Sequence, residues 1–225
     1  MRELGPGLWH WDAPSPEWEG SVRWGQSVSS YAIDAGERLL LFDPVAPPTE
    51  ILERAAARDT TIVLTSPWHE RDSRGLMERF GWPLFSPAPD TAEDLMRQFG
   101  LTAEQAAGGS SDLAWLRDSD EFEQHSYSAG DRLPVGVEAY PGSKPNGLVL
   151  WVESRRAVVI GDTLVDAGRG LEPPPRDLGY AGLPEGMTRE RIAEGLRPLI
   201  ALPVEHVLAT HGGPTDRAAL QRALG

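Results

Sequence analysis

Val63-Leu64-Thr65-Ser66-Pro67-Trp68-His69-Glu70-Arg71-Asp72 is the stretch on which the reading of this chain turns. The apolar run Thr60 to Leu64 that enters it reads as a buried strand. Ser73 to Phe80, which leaves it, reads as a helix stopped by Gly81. At the junction stand a histidine, an arginine and an aspartate, His69, Arg71 and Asp72.

Outward from this junction, strands and helices alternate. Ser27 to Ala35 and Arg38 to Phe42 read as a β-hairpin across Asp34-Ala35-Gly36-Glu37, ending at Asp43-Pro44. Pro47-Pro48 open a helix through Glu50, Ile51, Leu52 and Ala55, because proline suits a first helical turn. Asp90-Thr91-Ala92-Glu93 has the form of a capped start for a helix reaching Phe99. Glu121 to Tyr140 is loosely extended, and Gly147 to Val152 with Ala157 to Ile160 makes a second apolar hairpin. Met187 to Leu202 carries Ile192, Leu196, Leu199 and Ile200 at helical spacing, followed by a strand over Val204 to Ala209 and a helix over Thr215 to Leu224. This order predicts an α/β (α+β) protein with two stacked mixed sheets and helices outside, in a single domain over residues 1–225.

With 225 residues, 40% of them hydrophobic and eight tryptophans, the chain can bury a sizeable core. A net charge of −13 excludes a phosphate-backbone binder, since polyanions attract arginine and lysine patches. There are no cysteines, which removes disulfides, thiolate nucleophiles and cysteine-ligated zinc. Residues Met1 to Trp11 have no continuous apolar core, and no run reaches membrane-spanning length, so a cytoplasmic protein without a membrane partner is expected.

Four segments, in order, resemble the metallo-β-lactamase fold superfamily. Ser30-Tyr31-Ala32-Ile33-Asp34 with Leu40-Leu41-Phe42-Asp43-Pro44 is similar to its N-terminal hairpin, and Thr65 to Gly75 lies at its principal ligand loop. Gly161-Asp162-Thr163-Leu164 is similar to its GDTL segment, and Thr210-His211-Gly212-Gly213-Pro214 to its final HG turn. The resemblance implies a four-layer αββα sandwich and, in ordinary members, a two-zinc hydrolase centre fed by an HxHxDH loop. Aligned on the helix start Arg71 to Leu76, Pro67 falls on the first histidine of that motif, His69 on the second, Arg71 on the aspartate and Asp72 on the third histidine. Ser143 in Pro141-Gly142-Ser143-Lys144-Pro145 stands where a further histidine belongs. An ungapped alignment from Leu64-Thr65 puts Ser66, Trp68, Glu70 and Arg71 on the motif, which is no better for metal.

Zinc needs three or four donors at about 2.0–2.3 Å. Proline offers none, and a guanidinium is a permanent cation that only donates. No cofactor is therefore expected; if zinc or another divalent metal binds, the residues implied are His69, Asp72, Asp162 and His211. Arg71 is expected to replace the lost cation by bridging Asp72 and Asp162 in a two-point pair. Against these readings stand plainer ones. His69 can be a hydrogen-bonded loop histidine, Asp162 an ion-pair residue, His211 a requirement of its turn, and Asp43 a turn or cap residue before proline. Trp9, Trp11, Trp18, Trp24 and Trp68 can line a pocket or simply fill core, while His10, His125 and His206 read as surface or structural. Ala167 to Gly182 is a long loop expected to border the site mouth.

Three functions follow for the site residues His69, Arg71, Asp72, Asp162 and His211. The first is a protein that keeps the fold, lacks the two-zinc centre and uses the pocket for a small-molecule ligand. The second is a one-metal hydrolase of a small ester, lactone or thioester. The third is metal-free acid/base chemistry in which a carboxylate orients His69 or His211.

Overall fold

The computed structural model describes residues 1–15, 18, 25–107, 121–176, 178 and 182–225. Trp24 and part of the Ala167–Gly182 loop lie outside them. The first sheet has seven strands in chain order: β1 (Arg2–Gly5), β2 (Leu8–Pro14), β3 (Ser27–Asp34), β4 (Arg38–Phe42), β5 (Asp59–Val63), β6 (Leu84–Pro87) and β7 (Gln124–Tyr127). The first four pair antiparallel, and β4 to β7 pair parallel. The second sheet takes β8 (Arg132–Leu133), β9 (Val137–Lys144), β10 (Gly147–Val152), β11 (Ala157–Gly161), β14 (His206–Ala209) and β15 (Pro214–Asp216) in the order β15-β14-β11-β10-β9-β8. A short ribbon of β12 (Val165–Asp166) and β13 (Leu171–Glu172) follows β11.

Side-chain alternation along these strands builds the layers. In β4, Leu40 and Phe42 point into the space between the sheets, where they meet Leu148, Leu150 and Val159. Leu39 and Leu41 point the other way, onto Ile51 and Ala55 of α1 (Thr49–Ala56) and Leu76 and Met77 of α2 (Ser73–Phe80). In the second sheet Val158 and Ile160 pack outward against Ile192, Leu196 and Leu199 of α5 (Arg189–Ala201) and Leu220 of α6 (Arg217–Leu224). Strands buried on both faces read as continuous apolar runs, which is why β4, β10 and β11 were legible as such. The result is a four-layer αββα sandwich. Two further helices, α3 (Ala92–Phe99) and α4 (Ala103–Ala107), lie in the chain between β6 and β7 and contact each other.

The sheets are also joined by hydrogen bonds. Ser29 N–H donates to Thr210 O (2.8 Å), Leu148 N–H donates to Thr65 O (2.8 Å), and the Tyr31 hydroxyl donates to Ala209 O (2.7 Å). All three fall at the end of the sandwich where β5, β11 and β14 finish. Among the described residues, no helix is long and apolar enough to cross a membrane.

Candidate functional site

Four strand ends meet at this tied end. The parallel register Phe42↔Val63 brings Asp43, just past β4, level with Leu64 and within reach of Thr65, and β11 and β14 deliver Asp162 and His211 from the other sheet. Gly161 lets the two sheets close here: its φ is +53°, and a Cβ would lie 2.7 Å from Thr65 Oγ1.

His69 is the centre of the cluster. It is buried, with Nδ1 3.2 Å from Asp43 Oδ2 and 3.1 Å from Thr65 Oγ1, and Nε2 3.2 Å from Asp162 Oδ2. Asp43 also accepts from Thr65, through N–H at 2.9 Å and Oγ1–H at 2.6 Å. Burial alone pushes the imidazole down, but the carboxylates of Asp162 and Asp43 outweigh it and raise His69 to about 9. The two carboxylates favour the protonated ring, which can donate from both nitrogens. Reciprocally, Asp43 is held below the usual carboxylate range: burial opposes ionisation, and His69, Arg71 and Thr65 overcome it. Asp162 is likewise held low against burial, by His69, His211 and Lys144.

His211 behaves in the opposite sense. Burial lowers it to about 4, Asp162 only partly offsetting the loss while the nearby cations His69 and Arg71 add to it. Its Nε2 is 3.7 Å from Asp162 Oδ1, beyond hydrogen-bond range. Asp162 Oδ1 itself makes no hydrogen bond within the described residues, although a quarter of the Asp162 side chain is open to solvent.

Arg71 corrects the expectation drawn from the sequence. It has left-handed backbone, φ +47°, and donates from one terminal nitrogen to Asp43 O (2.6 Å) and Ser29 O (3.4 Å). It forms no pair with Asp72 or Asp162. Asp72 is tied instead to the 43–46 turn, its N–H donating to Pro44 O and its Oδ2 accepting from Ala46 N–H at 2.7 Å. Asp162 is engaged by His69. The cation between the acids is thus the histidine, with the guanidinium bracing the turn that holds one of them.

The remaining positions complete the picture. Pro67 is buried, and the Ser143 N–H donates to Thr163 Oγ1 at 3.3 Å. Trp68 Nε1 donates to buried Asp90 (2.8 Å), which also accepts from Gln98 Nε2 (3.1 Å) and Asn146 Nδ2 (2.9 Å). Asp90 therefore pins the ligand loop to α3 and to the β9–β10 turn. Trp9 and Trp11 are core beneath α1 and α2, Trp18 is exposed, and His125 pairs with Glu123 on the surface. His10 touches the cluster's border through Ser29 Oγ at 2.9 Å, and His206 lies at the far end of β14. Asp43 is the residue the sequence undervalued: it is a turn residue, φ +44°, and also the second carboxylate on His69. Its signal in the sequence was its place at the end of the apolar run Arg38 to Phe42, as Thr65 ends the run from Thr60 to Leu64.

Among the described residues, no group of three or more histidine, aspartate or glutamate side chains is arranged to hold a metal ion. The architecture nevertheless has clear counterparts. A metallo-β-lactamase from Hirschia baltica matches over 99% of this chain and 94% of its own, with TM-score 0.60 and 16% identity. ST1585 from Sulfolobus tokodaii, an archaeal metallo-β-lactamase superfamily protein, matches over 97% and 84%, with TM-score 0.60 and 16% identity. TTHA1623, solved in a di-iron-bound form, matches over 87% and 93%, with TM-score 0.56 and 21% identity. The protein has the metallo-β-lactamase fold. No protein-family model matches the sequence, and no curated protein matches it. Identities this low establish the fold alone, which hosts many chemistries.

Proposed function

We propose that this is a metallo-β-lactamase-fold binding protein without a two-metal centre, its site receiving a small molecule that reaches Asp162 and His211 from solvent. One observation carries the reading: His69 has a carboxylate on each nitrogen. Both ring nitrogens are spent on carboxylates, and the ring, when protonated, supplies the positive charge that two adjacent acids require. Pro67 contributes no donor, Asp72 is turned to Ala46, and Arg71 adds a second fixed cation. The residues present do not fit a two-metal centre.

Protein purified without chelator is expected to be folded, to contain metal well below stoichiometry, and to unfold at the same temperature with and without EDTA. The nitrogen NMR shifts of His69 are expected to be those of a doubly protonated ring at pH 7. Stoichiometric zinc, manganese or iron that raises the melting temperature would overturn the reading. That result would favour a one-metal hydrolase of a small ester, lactone or thioester. The observation behind this alternative is Asp162 Oδ1, buried and without a hydrogen bond, facing His211 Nε2.

A further inference from the structure

The chain holds 20 arginines and a single lysine, Lys144. That lysine stands at the end of β9, beside the site. An arginine serves most surface roles of a lysine and holds carboxylates better, through its planar fork. What it does not offer is a neutral amine, because a guanidinium keeps its charge at any relevant pH. One lysine among so many arginines therefore points to amine chemistry.

The surroundings favour the same reading. Lys144 is partly exposed and lies within electrostatic reach of two carboxylates, Asp162 of the site and Asp90 of the loop anchor. Gly147, its partner across the β9–β10 turn, leaves room for the lysine stem: a Cβ there would lie 3.2 Å from Lys144 Cβ and 3.8 Å from Cγ and Cδ. Asn146 donates to Asp90 at 2.9 Å, so the turn that carries the lysine is fixed to the ligand loop. Both acids have other work. Asp90 accepts from Trp68, Gln98 and Asn146, and Asp162 Oδ2 faces His69. Burial pushes the Lys144 ammonium down, and the two acids only partly oppose it. Desolvation of this kind is how a lysine becomes a nucleophile.

We propose that Lys144 captures a small uncharged aldehyde or ketone as a reversible imine at the mouth of the site; this names the ligand class of the metal-free receptor proposed above and rests on that reading. Nζ attacks the carbonyl carbon, and a proton from the nitrogen passes through solvent to the oxygen. The carbinolamine then loses that oxygen as water, leaving C=N. Amine and carbonyl enter, imine and water leave, and no electrons are exchanged. A proton taken from solvent makes the iminium, whose charge Asp162 balances. An anionic carbonyl compound such as a keto acid would bring its carboxylate toward Asp162 and Asp90, so an uncharged one is favoured.

The test exposes the full chain to propanal and sodium cyanoborohydride at pH 7, the borohydride supplying the hydride that fixes the imine as a secondary amine. Peptide mass mapping follows the two amines, Lys144 and the amino terminus. An ordinary lysine has a pKa of about 10.4 and an α-amine one of about 7.7–8.0, so such a lysine lags the terminus by roughly two orders of magnitude. Lys144 is expected to be alkylated at least as fast as the terminus, at a rate that saturates with propanal, and faster than with pyruvate run in parallel. Lys144→Arg, which keeps the charge, is expected to lose the saturable reaction and leave the terminus unchanged; the comparison of the two amines in the unsubstituted chain decides the matter if that variant does not fold. Alkylation of Lys144 behind the terminus by the ordinary margin would overturn the proposal and leave the lysine a structural cation. So would a rate linear in propanal through the millimolar range, or faster reaction with pyruvate. Metal is assayed in the same sample: stoichiometric metal defeats the receptor reading, whereas slow alkylation of metal-free protein defeats the imine alone.

Discussion

At the scale of single residues, the decisive arrangement is one imidazolium between two carboxylates. Removing one partner of a buried ionic group costs more than the group contributes, because the remaining charges are stranded. His69→Ala is therefore expected to destabilise the protein by about 3 kcal/mol in urea unfolding, the solvent access of Asp162 keeping the figure at the low end of the usual range. The two histidines also set a pH profile of opposite limbs. His69 rises from 6.5 unfolded to about 9 folded, so its contribution is complete below pH 6.5 and lost as pH climbs through 9. His211 falls from 6.5 to about 4, so the unfolded chain takes up its proton first and stability declines as pH drops from 6.5 toward 4. Below that, protonation of the depressed acids Asp43 and Asp162 removes more. Stability is expected to peak near pH 6.5, with His211→Gln flattening the acid limb and leaving the alkaline one. A urea midpoint that rises steadily from pH 6.5 to pH 9 would contradict the charged state assigned to His69.

At the scale of elements, Asp90 decides whether the ligand loop is a fixed wall. It collects side-chain donors from Trp68, Gln98 and Asn146, so Asp90→Ala strands three of them at once. The expected loss is on the order of 3 kcal/mol, with faster amide exchange around Thr65–Glu70 and Asn146–Leu148. Unchanged exchange in those segments would show that the loop is held by something else. How far such elements could be read in advance depended on their surroundings. The α5 spacing of Ile192, Leu196 and Leu199 was plain, since one helix face meets one sheet. The β1–β2 hairpin was not read, although Trp9 and Trp11 alternate with half-buried His10 and exposed Asp12, the ordinary signal of a strand with one face covered. β6 hid between Pro83 and Pro87: only Leu84 and Phe85 pair with β5, while Pro83 takes part as an acceptor from Ile62. β15 begins at Pro214 on a sheet edge, a position where the missing N–H does no harm, and a helix had been read one residue on. In the site, His69 and Asp162 were legible from their segments. The partners of Arg71 were not, since its left-handed backbone turns the side chain toward Ser29 and Asp43.

At the scale of the molecule, a net charge of −13 spread over a compact sandwich repels itself. Raising sodium chloride from low to physiological concentration is expected to increase the melting temperature at pH 7, because screening weakens repulsion among exposed acids more than it weakens the buried His69 pairs. A fall over that range would mean that favourable surface pairs dominate. The ties between the sheets add a mechanical asymmetry. Ser29–Thr210, Leu148–Thr65 and Tyr31–Ala209 clamp the layers at one extremity. Among the described residues, no main-chain hydrogen bond joins the sheets at the other. Side-chain contacts alone cross at that far margin, where Arg155 lies 3.8 Å from Asp34 and against Gly7, so on warming the amides near Gly5 and Arg155 are expected to exchange before those of the histidine and its two acids.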